Sequence, residues 1–154
     1  GVQTCALPIC FLTAGIIPGG DAVVKLWGPE RSAGAMASRS FLRAGLPFTY
    51  SHDAPVSPIP SILALVDAGV NRLSGSGQVV GPDERVSPYH ALRAVTSTAA
   101  YQLKEEKTKG TLEVGKLADL VILEQNPLKV ESTSIKDIRV LRTIKEGRTV
   151  FEAN

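Results

Sequence analysis

The sequence predicts an α/β protein in two parts, with helices around at least one buried strand over residues 11 to 105 and a small β unit over residues 106 to 154. Three observations carry this. Apolar residues recur at helical spacing on both sides of an aromatic and β-branched run at Pro47 to His52. The hydrophobic period then changes at Gly110, where short strand-like runs replace the helical pattern. Turn signals punctuate those runs at Gly115-Lys116, Asn126-Pro127 and Glu146-Gly147. Of the 154 residues 44% are hydrophobic and 21% charged, so the chain can bury a core.

The elements follow in order. After a loop at Pro18-Gly19-Gly20, a helix is predicted over 29 to 44, opened by Gly28-Pro29-Glu30, striped by Ala33, Met36, Ala37, Phe41 and Ala44, and closed at Gly45. Pro47 to His52 reads as a strand opened by a tolerated proline. Asp53 to Pro60 carries three prolines in eight residues and must be a loop at the strand's C-terminal end. Ser61 caps the next helix, striped by Ile62, Val66, Val70 and Leu73, and Ser87 caps another running to Leu103. Strands are predicted at Thr111 to Val114, Leu117 to Leu123, Ile138 to Lys145 and Arg148 to Phe151.

Several function classes are disfavoured. Seventeen Lys and Arg against fifteen Asp and Glu leave a net charge of +2 with no basic face for nucleic acid. No apolar stretch approaches the ~20 residues a membrane span needs. Residues 1 to 10 lack the basic and apolar regions of a signal peptide, and a cytoplasmic protein is expected. That stretch resembles translated adapter sequence and is set aside as a leader; the alternative is a strand edge with two free thiols, Cys5 and Cys10.

Acid–base or metal chemistry needs clustered His, Asp, Glu or Cys, and the chain has two histidines, His52 and His90, with no His-x-His, HExxH or CxxC. His90 reads as a solvated helix residue. His52-Asp53 is the informative pair, because it sits where a strand runs into a proline-rich loop. Side chains alternate along a strand, so Phe48, Tyr50 and His52 share one face and Thr49, Ser51 and Asp53 the other. Asp53 is then a carboxylate at a strand's C-terminal end, facing what the sheet encloses, or an Asp that caps the loop amides. The same alternation argues against one metal bound by both His52 and Asp53, unless the strand breaks at Ser51.

Four runs then point to a family: Leu26 to Arg31, Ser51-His52-Asp53-Ala54-Pro55-Val56, Ser87 to Thr96, and Gly110 to Leu123 with its Gly-x-Leu-x-x-Gly-Lys-x-Ala-Asp-Leu-Val pattern. In this order the chain resembles the C-terminal part of amidohydrolase family 3, metal-dependent hydrolases related to N-substituted formamide deformylase. The resemblance implies a TIM-type (β/α)8 barrel whose eighth strand is Phe48 to His52, followed by part of a composite β-sandwich. It places Asp53 at the metal centre, as proton shuttle or ligand, with a divalent metal, zinc by preference, and a small amide-type substrate. Arg72 and the Gly28 to Arg31 turn would line the substrate side or the barrel rim. No role is carried onto His52. A whole barrel needs roughly 250 residues and the family's other ligands have no counterpart here, so a C-terminal fragment, inactive alone, is expected. A homo-oligomer is left open. Two other readings stand beside this one: a complete, non-catalytic interaction domain, and a small hydrolase using His52, Asp53 and His90.

Overall fold

The computed structural model describes residues 9–53 and 61–154. Its first half is a parallel strand pair wrapped by helices. β1 (Ile9–Phe11) and β2 (Phe48–Tyr50) pair in parallel with Ile9 opposite Phe48, Cys10 opposite Thr49 and Phe11 opposite Tyr50. Parallel strands cannot be joined by a tight turn, so the chain crosses over through helices, giving a β-α-β unit. Of the stretch expected as a leader over residues 1 to 10, only the last two residues are described. Ile9 and Cys10 are strand residues, and residues 1–8 lie outside the described ones.

The crossover departs from the single helix predicted over 29 to 44. α1 (Ile16–Ala33) begins thirteen residues earlier, is interrupted at Gly28 (φ 76°, ψ 164°) and restarts at Pro29. The start signal at Gly28-Pro29 is thus a restart within a longer element. Pro18, expected in a loop, falls in the first helical turn, where a missing N–H is harmless. Gly20 stays glycine because a Cβ there would come within 2.9 Å of Val80 Cγ2. The predicted helix also breaks at 34 to 37, where Met36 turns to φ 52°, before α2 (Ser38–Arg43) resumes.

The later helices follow their caps. The Ser61 side chain accepts from Ala64 N at 3.3 Å at the start of α3 (Ile62–Asn71). The Ser87 side chain does the same for His90 N at the start of α4 (Pro88–Val95). The helix predicted to continue to Leu103 instead kinks at Thr96 (φ −127°, ψ −94°), whose hydroxyl donates to Leu92 O at 2.7 Å, and α5 (Ser97–Gln102) follows. Beyond Asp53, the predicted proline-rich loop lies outside the described residues.

The β unit is smaller than predicted. Thr111 to Val114 is no strand, since Glu113, Thr111 and Lys116 bond to one another in a local turn. β3 (Leu120–Leu123), β4 (Val140–Lys145) and β5 (Arg148–Glu152) form an antiparallel sheet in the order β3-β4-β5. A 3-10 turn, Ser132–Asp137, docks this unit on α3, with Ile135 fully buried. Asn71 bolts the contact: its Nδ2 donates to Ser132 O at 2.8 Å and its Oδ1 accepts from Ser132 Oγ at 2.7 Å. The sheet itself leaves Val121, Ile122, Val150 and Phe151 exposed. The main core lies between β2, α3 and α4, where Phe48, Tyr50, Leu65, Val66, Ala91 and Ala94 are buried.

Candidate active site

β2 carries the candidate site at its C-terminal end, and its alternation is directly visible. Tyr50 lies across α3, so close that a Cβ on Gly69 would sit 2.5 Å from its ring; this explains a glycine in the middle of a helix. Thr49 points the other way and donates to Gln102 Oε1 of α5 at 2.7 Å. Regular strand geometry ends at Tyr50, although Ser51 N still donates to Phe11 O of β1 at 2.8 Å. The alternation argument therefore stops short of Asp53. Asp53 has left the strand path at φ 53°, a left-handed conformation that aspartate tolerates better than most residues, and it is exposed.

His52 is half-buried between them. His90 lies elsewhere, its Nδ1 2.8 Å from Ser87 Oγ at the head of α4. It lines a cavity of about 230 Å³ with Gly45, Pro47 and Phe48, at the opposite end of β2 from Asp53. At ~3.3 Å per residue, the five steps from Phe48 to Asp53 span at most about 16 Å, and among the described residues no three His, Cys, Asp or Glu side chains gather there. His52, Asp53 and His90 do not form one catalytic group.

Arg72 is not on a surface. It is fully buried in a left-handed conformation (φ 56°) that closes α3. Its guanidinium is committed to backbone: Nε donates to Val80 O, Nη1 to Met36 O at 3.1 Å and Nη2 to Ala35 O. Where a substrate-side arginine was expected, the structure has one that ties α3 to the α1–α2 junction. Burial pulls its pKa down, partly offset by Tyr50 and Glu84 nearby. Glu84, which the sequence reading missed, receives Ser40 N at 2.9 Å and the Ser40 hydroxyl at the head of α2. Burial pushes the Glu84 carboxyl up, but the donors from Ser40 and Arg39 and the charge of Arg72 outweigh it and leave it below its ordinary value.

Tyr50 completes this cluster, its hydroxyl donating to Ser38 Oγ at 3.2 Å. Burial pushes the phenol up to about 12, against the Ser38 bond and the charge of Arg72. A folded-state pKa above the unfolded value of ~10 favours the neutral phenol, so its stabilisation is present below pH 10 and lost as pH rises to 12. Over that window the fold should lose about 2–3 kcal/mol from this group, at ~1.4 kcal/mol per pH unit. Difference absorbance near 295 nm between the protein and Tyr50→Phe checks it, and ionisation of Tyr50 at pH 10 would contradict the burial argument.

A catalytic or structural zinc needs three or four protein donors. Among the described residues no three His, Cys, Asp or Glu side chains come together to hold a metal ion. The described part of the chain does not fit a metal by itself, and Asp53 can be at most one donor.

The described residues thus form a mixed α/β arrangement, a parallel strand pair with a helical crossover, and Asp53 follows the second strand at its C-terminal end. Residues 5–151 match the amidohydrolase family, and the chain belongs to it. The chain is similar to N-substituted formamide deformylase of Arthrobacter pascens, at 28% identity over 90% of this chain and 26% of that protein. In structure it is similar to an uncharacterized metal-dependent hydrolase from Pyrococcus horikoshii (TM-score 0.68, 26% identity, 82% of this chain and 26% of that one). A second such hydrolase, from Pyrococcus furiosus, gives TM-score 0.60 at 29% identity, over 80% of this chain and 25% of that one. The chain thus spans about a quarter of the length of the deformylase it matches.

Proposed function

We propose that this chain is the carboxyl-terminal part of a longer hydrolase that cleaves a carbon–nitrogen bond in a small amide-type substrate, with Asp53 as the proton-accepting carboxylate. One observation carries the reading: in a chain of the amidohydrolase family, Asp53 follows the second strand of a parallel pair at its C-terminal end. In this role Asp53 takes a proton from the attacking water as the new C–O bond forms, and returns it to the nitrogen as the C–N bond breaks. β1 and β2 are then the last two strands of a (β/α)8 barrel, and β3 to β5 belong to a small sandwich completed by other strands. The exposed Val121, Ile122, Val150 and Phe151 support that reading, since a finished sandwich covers one face of each sheet.

A metal comes into the reading from the descriptions of the two Pyrococcus hydrolases. It would be a divalent ion, zinc by preference, with Asp53 beside donors from outside this chain. The test compares two lengths of protein. After dialysis against zinc, elemental analysis should find no stoichiometric metal on the 154-residue chain and a stoichiometric amount on the full-length protein. Micromolar binding by the short chain would overturn the proposal that it supplies only one donor.

A further inference from the structure

We propose that Tyr50, through its buried hydroxyl, is a positioning residue that sets where Asp53 stands. This rests on the reading of Asp53 as the proton acceptor. Tyr50 ends β2, three residues before Asp53, and the structure holds it from several directions. Its ring is wedged on the bare backbone of Gly69, and its hydroxyl donates to Ser38 Oγ. Ser38 Oγ donates in turn to Met36 O at 3.2 Å, the same carbonyl that accepts Arg72 Nη1 at 3.1 Å. Tyr50, Ser38 and Arg72 are all buried, so the bonds are made where water cannot replace them.

The neighbouring residues are fixed in complementary directions. Thr49 is bonded to α5 on the other face of the strand and Ser51 N to β1 in the plane of the sheet. Phe48, on the same face as Tyr50, fills the core without a hydroxyl, so packing alone does not call for one at Tyr50. The hydroxyl adds direction at the one strand position next to the exposed turn that carries Asp53. A reacting carboxylate displaced by about 1 Å can lose up to 10²-fold in rate, so a small loss of aim is measurable.

The experiment uses the full-length protein with Tyr50→Phe, Asp53→Asn and the two combined, reading kcat, KM and thermal midpoint. Tyr50→Phe should lower kcat about tenfold with KM changed less than twofold, and should cost nothing further on the residual rate of Asp53→Asn, read at high enzyme concentration. Ser38→Ala, which removes the acceptor of the same bond from another segment, should repeat the result if Tyr50→Phe folds poorly. Unchanged kcat in Tyr50→Phe, or the same fractional loss with and without the Asp53 carboxylate, overturns the inference, since a merely structural tyrosine would act equally in both backgrounds. Full activity in Asp53→Asn alone refutes the proposed role of Asp53 itself and takes the inference with it.

Discussion

Replacing Asp53 by asparagine in the full-length protein is expected to lower kcat by about 10²–10⁴, the usual contribution of a positioned general base. Asparagine keeps the size of the side chain and one carbonyl oxygen but cannot take a proton. It also tolerates the left-handed backbone at φ 53° as well as aspartate does, so the turn should survive and the thermal midpoint should hardly move. The competing role, an aspartate that only caps loop amides, predicts the reverse, because asparagine caps nearly as well. Measuring kcat, bound metal and thermal midpoint on Asp53→Asn separates them. Near-normal kcat at full metal occupancy would sink the catalytic assignment, and a joint fall of kcat and metal would make Asp53 a ligand rather than a base.

Local chemistry made much of the fold legible. Ser61 and Ser87 cap the helices they were expected to cap, because that interaction is confined to four residues. The strand at Phe48 and the β3-β4-β5 region could be read from period and turn residues for the same reason. What failed was set by distant contacts. Gly20 looks like a loop residue until Val80 is known to lie against it, and Thr111 to Val114 has strand-like residues but no partner strand among the described residues. The site was legible to the same extent. Asp53 stands out by its place between strand and prolines, whereas the burial of Arg72 and its partnership with carbonyls 36 and 37 residues away in sequence leave no local trace. Glu84 and the bond from the Tyr50 hydroxyl to Ser38 were missed for that reason, although Gly69, a glycine inside a helix, was a signal that something large lay across it.

The Arg72 cluster makes the second large prediction, at Gly81. This residue sits at φ 61° just before the 3-10 turn Pro82–Glu84, which aims Glu84 at the head of α2. A Cβ there would stand 2.2 Å from Ala33 O and 3.1 Å from Arg72 Nη2. The first contact is with main chain, which cannot rotate out of the way. Gly77 provides the control, because it has a similar positive φ of 84° with nothing within 4 Å of a Cβ. Gly77→Ala should therefore cost only the left-handed backbone penalty, about 1–2 kcal/mol. Gly81→Ala should cost that plus the overpacking of a filled site, a further 1–3 kcal/mol or so. Urea unfolding of the two variants beside the parent measures the difference. Equal losses would mean that the Ala33 carbonyl yields freely, and that the junction held by Arg72 is far softer than its buried hydrogen bonds imply.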